Sequence, residues 1–169
     1  MKKFVLGVFV FMCLGMFVDC ASAAELKYGY VDVEKVFNDY SVTKENDEKL
    51  KSEGREKADE RDGMVEGIKK LREEAELLSE GARKEKEAVI EEKLKELRDF
   101  DEKTKTELRN KRDFLLKNIF NEIRDAIEAR GKKDGYTFIF NDRALLYKAD
   151  SYDMTSVITE DLNAKARKE

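Results

Sequence analysis

The apolar residues of this chain follow a narrow helical pattern over residues 41–130. They recur at steps of three and four, as in the seam of a coiled coil, and strong helix formers fill the positions between them. The seam runs through Leu50, Val65, Ile68, Leu71, Ala75, Leu78, Ala82, Ile90, Leu94, Leu97, Thr104, Leu108, Leu115, Ile119, Ile123 and Ala126. It is imperfect, because Gly54, Arg61 and Asp101 stand where an apolar residue is expected.

The helical pattern breaks at Ser79-Glu80-Gly81, where a serine and a glycine interrupt it. A stripe this narrow cannot form a globular core and needs a partner helix. The pattern therefore predicts an antiparallel hairpin, with an ascending helix over 41–79 and a descending helix over about 82–130. Each of three glycines weakens the ascending helix by about 1 kcal/mol relative to alanine, which makes that helix easier to bend. They are Gly54, Gly63 and Gly67.

The residues before the hairpin show strand and cap patterns. Aromatic and β-branched residues alternate over 26–33, which predicts a strand. Asp32 is placed to cap a short helix. That helix would present Val33, Val36, Phe37 and Tyr40.

The residues after the hairpin predict two more strands and a helix. Gly131 is expected to end the descending helix, and strands are expected over 136–140 and 144–148, joined by a turn at 141–143. In the first of these strands, Tyr136, Phe138 and Phe140 are expected on one side and Thr137 and Ile139 on the other, so that one side faces a helix and the other a subunit contact. Asp153 or Thr155 is predicted to cap the last helix. Its apolar residues are Val157, Ile158, Leu162 and Ala166.

These elements predict an α+β fold with two parts. Residues 24–40 and 131–169 form a small β-rich body of about three strands and two short helices, and residues 41–130 form the arm. A body of roughly 55 residues is marginal as an independent core, and its strand edges invite pairing, so we expect it to oligomerise. The candidate contact residues are Tyr30, Val31, Phe138, Ile139, Phe140 and Leu146.

The first residues predict export. Two lysines precede an apolar run over 4–18, and the small-residue stretch 21–24 follows, as in a secretory signal peptide cleaved after Ala23 or Ala24. The signal peptide is therefore assigned to 1–23, and the mature protein is expected to be exported. A lipoprotein signal ending at Cys20 is the alternative, and it is disfavoured because Asp19 is not the small residue that lipidation requires.

Composition narrows the chemistry. The chain has no histidine, and its two cysteines, Cys13 and Cys20, lie in the predicted signal peptide. A zinc or copper site and a Ser-His or Cys-His nucleophile are therefore not expected, and we predict no enzyme, no metal and no cofactor. The 34 basic and 38 acidic residues give a net charge of −4. Because the two signs are interleaved, no nucleic-acid groove is indicated.

Two segments resemble the Skp/OmpH family of periplasmic chaperones. The segment KYGYVDVEKVFNDY at 27–40 is similar to that family's opening strand and first helix, and DGYTFIFNDRALLYKADSYDMTSVITEDLN at 134–163 is similar to its closing strands and last helix. The resemblance implies a homotrimer whose β-rich body holds three arms around a cavity. That cavity would hold unfolded outer-membrane proteins without ATP, because barrel precursors with open strand edges aggregate in water.

One departure concerns charge. Some members of that family are strongly basic, whereas residues 41–130 carry 23 Lys and Arg against 26 Asp and Glu. Contact with lipopolysaccharide or membrane is therefore left open, and no lipid-binding residues are assigned.

Several apolar residues lie off the predicted seam. Phe114, Leu116 and Phe120 are expected to pack against the body. The candidates for cargo contact are Met64, Leu77, Val89 and Phe100. The alternative function is an envelope coiled-coil adaptor without chaperone activity, which would require a regular, filled seam.

Overall fold

The computed structural model of the protein describes residues 26–168, so the predicted signal peptide lies outside the described residues. Two short strands, four α-helices and two 3-10 helices follow one another along the chain. In order they are β1 (Tyr28–Val31), α1 (Val33–Asp39), α2 (Ser41–Glu76), α3 (Glu80–Asp134), β2 (Phe138–Asn141), 3-10 helices at Asp142–Ala144 and Asp150–Tyr152, and α4 (Thr155–Ala166). The two long helices form the arm, and the remaining elements form the body around the far end of α3.

Helix α1 begins as the sequence predicts. The backbone N–H of Lys35 donates to Oδ1 of Asp32 at 2.8 Å, which satisfies one of the free donors of the first turn. Val36 and Tyr40 are buried. The predicted cap and apolar face of this helix are therefore confirmed.

The chain reverses direction at residues 77–79. Helix α2 ends at Glu76 and α3 begins at Glu80, so the break lies close to the predicted position although Gly81 itself is helical. The backbone N–H of Arg83 donates to the carbonyl of Ser79 at 2.8 Å and closes the first turn of α3.

Helix α3 does not end at Gly131, so that prediction was wrong. The helix continues to Asp134, and Gly135 follows it in the left-handed conformation at φ 71°. Gly131 has a different use, because a Cβ added there would lie 3.0 Å from Cδ1 of Ile139. A glycine at this position lets β2 pack close to α3.

Strands β1 and β2 pair in parallel, with Tyr28 opposite Phe138 and Val31 opposite Asn141. In residues 26–168 this sheet has two strands, and the strand predicted over 144–148 is absent. The side chain of Asn141 accepts from the backbone N–H of Arg143 at 3.1 Å and starts a 3-10 turn instead. Lys148 then pairs with Asp142 at 3.1 Å, which holds the segment in an irregular loop.

The last helix is fixed to the first strand through Thr155. Oδ1 of Asp153 accepts from the backbone N–H of Thr155 at 2.8 Å and from its hydroxyl at 2.5 Å. The same hydroxyl oxygen accepts from the backbone N–H of Asp32 at 3.0 Å. Met154 occupies the cap position rather than the predicted Asp153 or Thr155, but Asp153 still binds the first N–H of α4.

The buried residues form two separate clusters. The body core joins β1, α1, α4 and the end of α3, and the distal cluster lies near the tip of the arm. The body core contains Val31, Val36, Tyr40, Ile119, Ile123, Met154, Ile158 and Leu162. The distal cluster contains Ile68, Ala75 and Ile90, with Leu71, Leu94 and Leu97 packed against it. Among residues 26–168, no helix combines the length and apolar character that a membrane span needs.

Candidate functional site

Ion pairs join the two helices of the arm between and around the apolar clusters. Nε of Arg61 lies 2.9 Å from Oδ1 of Asp101, and both side chains remain nearly half exposed. These are two of the polar interruptions in the predicted seam, and in the structure they face each other. At this level of the seam, an ion pair between the two helices therefore takes the place of an apolar contact.

Two further pairs fix the same register. Lys86 lies 2.6 Å from Glu74 near the tip, and Lys111 pairs with Glu53 toward the base. As the residue number increases along α2, the number of its partner on α3 decreases, so the two helices run in opposite directions.

Two of the four predicted cargo residues are partly covered. Met64 and Phe100 are half-buried, whereas Val65, which was assigned to the seam, is exposed. The ammonium of Lys57 also lies 5.4 Å from the centroid of the Phe100 ring. Met64 and Phe100 are therefore less exposed than positions off the seam would be, and their contact with cargo stays a prediction.

The other two predicted cargo residues are exposed near the tip. Leu77 is 87% exposed in the turn, and Val89 is exposed on the first part of α3. Leu78 follows in the turn and is also exposed, although it was assigned to the seam. The tip thus presents apolar side chains to solvent that no neighbouring element covers.

At the base of the arm, two of the three residues that were predicted to pack against the body do so, and one does not. The rings of Phe37 and Phe120 stack with centroids 5.3 Å apart, and Leu116 is half-buried. These two α3 residues pack as expected. Phe114 instead is 62% exposed, so the expectation that it packs against the body was wrong.

One face of the small sheet is aromatic and exposed. The ring of Phe138 stacks on Tyr28 and on Phe140, with both centroid distances at 6.1 Å. All three rings are more than two-fifths exposed. An exposed aromatic row of this kind is typical of an interaction surface.

The six predicted contact residues do not all lie on that face. Tyr30 and Val31 are buried within this chain, so they do not line its surface, and Ile139 turns toward the body core. Phe138, Phe140 and the fully exposed Leu146 are at the surface. The alternation predicted for the strand is thus observed for 138–140.

Tyr136 departs from that alternation because it precedes the strand. It was assigned to the same side as Phe138 and Phe140, but it packs against the body core.

Charged side chains lie close to the buried Tyr30. The ammonium of Lys148 lies 4.8 Å from the Tyr30 ring centroid. Burial raises the pKa of Tyr30, and the carboxylate of Asp153 raises it further. The hydrogen bond to Asp142 raises the pKa of Lys148. Both raised pKa values favour the protonated forms, a neutral tyrosine and a charged lysine. We therefore interpret this group as structural.

Sequence reasoning missed the contact that anchors α4 to α3. The Arg130 guanidinium donates to both carboxylate oxygens of Asp161, at 2.6 and 2.8 Å. The hydrogen bond to Asp161 raises the pKa of Arg130. In the sequence both residues read as ordinary charges on helical faces, and only the packing of the two helices brings them together. No group of three or more acidic side chains in residues 26–168 is arranged to hold a metal ion.

Comparison with protein families gives one match over most of the chain. The model described as "Outer membrane protein (OmpH-like)" matches residues 27–162. No curated protein matches significantly. Among solved structures, the chain is similar to a proposed outer membrane chaperone (OmpH-like) from Caulobacter crescentus, at a TM-score of 0.76 and 14% identity. The match covers 84% of this chain and 86% of that one, and at this identity it shows the fold alone.

Proposed function

This chain belongs to the OmpH-like family, and we propose that it is an ATP-independent holdase chaperone of the periplasm. It binds unfolded outer-membrane proteins reversibly and keeps them from aggregating until they reach the membrane. We assign it no enzymatic step and no cofactor. Binding an unfolded chain lowers the free concentration of that chain, which is sufficient to slow aggregation.

The observation that carries this proposal is the uneven burial along the arm. Large apolar side chains such as Leu77 and Val89 are exposed at the tip, and outside the body core the buried apolar residues of α2 and α3 are those of the small distal cluster. Singly placed apolar side chains among mixed charges favour many weak contacts over one hot spot. Such contacts suit a client that has no fixed shape.

An envelope adaptor is less well supported. A coiled-coil spacer would have a regular apolar seam, whereas this seam contains the Arg61–Asp101 pair and an unfilled position at Gly54.

The proposed assembly is a homotrimer that forms through the body. The aromatic face of Tyr28, Phe138 and Phe140 is exposed in the single chain. The irregular segment after it exposes Leu146 and Tyr147 almost completely. Covering these surfaces with neighbouring subunits would remove a large apolar area from water, and three arms would then enclose a cavity.

The test is an aggregation assay with a purified outer-membrane β-barrel diluted from urea. Turbidity is followed with the chain lacking residues 1–23, in the absence of nucleotide, and an unrelated acidic coiled-coil protein serves as the control. Suppression at a near-stoichiometric ratio supports the proposal. Equal turbidity with the chaperone and with the control protein would reject it.

A further inference from the structure

Two adjoining depressions lie along the base of the arm between α2 and α3. They share Leu50 and Arg112, and we name them together the basal groove. Its floor is apolar. The floor consists of Phe37, Leu50, Leu108, Leu115, Leu116 and Ile119.

One rim of the basal groove is basic. Lys105, Arg109 and Arg112 lie at steps of four and three on α3, so they share a helix face. Neither Lys105 nor Arg109 makes a hydrogen bond or ion pair with any residue in 26–168. Arg112 lies 3.5 Å from Asp113, so the rim cations without a carboxylate partner among residues 26–168 are Lys105 and Arg109.

The carboxylate that lines the groove does not neutralise the rim. Asp47 also lines the basal groove, but its Oδ2 lies 2.7 Å from the ammonium of Lys51. The apolar floor and the basic rim together fit an amphipathic ligand with negative charge.

A buried hydroxyl lies beside the groove. Thr43 lines the groove, and its Oγ1 is buried without a hydrogen-bond partner among the described residues. Such a group is unfavourable unless a ligand supplies a partner. An extended polypeptide carries N–H and C=O groups at every residue that can supply it, whereas a lipid carries its polar groups only at the headgroup and ester end.

The spacing of the cations also fits an extended polypeptide. From Lys105 to Arg112 the helix rises about 10 Å, which is about three residues of extended chain at roughly 3.3 Å each. Alternate side chains of an extended segment point to opposite sides. Carboxylates at every second residue could therefore meet the rim while the apolar residues between them face the floor.

We propose that the basal groove binds extended segments in which acidic and apolar residues alternate. The proposal rests on the proposed chaperone function, since the segment would belong to the client. It adds a preference that the exposed tip does not have, because the tip carries no comparable basic row beside an apolar floor.

The test uses a fluorescein-labelled eight-residue peptide of alternating leucine and aspartate, with a leucine-lysine peptide for comparison. Binding to the chain lacking residues 1–23 is measured by fluorescence anisotropy. We expect the acidic peptide to bind at least about tenfold more tightly than the basic one. The double variant Lys105→Gln/Arg109→Gln should weaken the acidic peptide about tenfold, because two exposed charge contacts are lost.

A matched variant controls for net charge. Lys95→Gln/Arg98→Gln removes the same charge from exposed positions of the same helix outside the groove, and it should leave binding of the acidic peptide unchanged. Thr43→Val keeps the shape of the side chain but removes its hydroxyl. It should weaken the peptide about threefold without lowering the melting temperature.

Three results would overturn the proposal. The first is equal binding of the two peptides, and the second is an equal loss of acidic-peptide binding in the two charge variants. The third is a Lys105→Gln/Arg109→Gln variant that still binds the acidic peptide but no longer binds phosphatidylglycerol vesicles. The last result would assign the groove to lipid. Running the aggregation assay on the same preparations separates the two proposals. A wild-type chain that protects the barrel but does not discriminate between the peptides refutes only the groove, whereas failure to protect refutes the function.

Discussion

The body and the arm of this protein are stabilised in different ways. In the body, Val31, Val36 and Ile158 are completely buried, and residues from four elements meet in one core. In the arm, the distal cluster is held apart from the body by a stretch that contains the Arg61–Asp101 pair. The body therefore derives its stability from apolar burial, and the arm leaves apolar surface free for binding.

The proposed chaperone function gives this contrast a physical basis. A residue that is buried in the protein's own core cannot contact a client. An arm with a fully packed seam would be more stable but would offer less exposed apolar surface along its length. Weak local stability of this kind is common in segments that bind and move.

The largest expected effect on stability comes from placing a charge on the inner face of β2 rather than on its outer face. Ile139→Asp places a charge against the body core and should lower the free energy of unfolding by at least about 3 kcal/mol. Phe138→Asp places the same charge on the exposed aromatic face. It should dissociate the trimer while the monomer keeps its helical content.

Light scattering and circular dichroism check this pair of variants. The account requires Phe138→Asp to be a folded monomer at micromolar concentration and Ile139→Asp to be unfolded or strongly destabilised. An unchanged trimer in both variants would refute the assignment of the two faces.

Replacing glycine by alanine should lower the stability of the body and raise that of the arm. In the body, a Cβ at Gly29 would lie 2.6 Å from Sδ of Met154, so Gly29→Ala should destabilise by about 1–3 kcal/mol. In the arm, a Cβ at Gly54, Gly63 or Gly67 meets nothing within 4 Å. Each change to alanine there should stabilise by about 0.5–1 kcal/mol.

Urea denaturation measures these differences, and the arm variants also test flexibility. A triple alanine variant of the three arm glycines should protect a large barrel less well than a small one, because a stiffer arm opens less. Equal protection of both clients would show that bending of α2 is not needed.

The smallest effect concerns the ion pair in the seam. Because both side chains are nearly half exposed, the coupling between Arg61 and Asp101 should be only about 0.2–1 kcal/mol in a double-mutant cycle. The cycle uses Arg61→Ala, Asp101→Ala and the double variant, with unfolding followed by circular dichroism. A coupling above about 2 kcal/mol would mean that the pair is a main support of the arm.

Local features of the fold could be read from the sequence, and non-local ones could not. The cap at Asp32, the strand at Tyr28–Val31 and helix α4 depend on residues close together in the chain. The expected strand over 144–148 depended on a pairing partner that the chain itself does not supply. Gly131 was read as a helix end, although its role comes from the close approach of Ile139.

The candidate site was read less well than the fold. Hydropathy placed Val65 in the seam and Met64 outside it, whereas the structure leaves Val65 exposed and Met64 half-buried. The reason is that the Arg61–Asp101 pair keeps the helical frame through a polar position, and hydropathy alone cannot detect this. The basal groove was missed because its floor residues come from different helices.

The most direct test of this division is the protection of a barrel by a variant of the tip. Leu77→Ser/Leu78→Ser/Val89→Ser changes three exposed side chains and leaves the distal cluster and the body core untouched. Turbidity of a barrel diluted from urea is compared with that for the wild type, and the melting temperature is recorded for both. The account predicts an unchanged melting temperature and a loss of most of the protection, and full protection by the triple variant would contradict it.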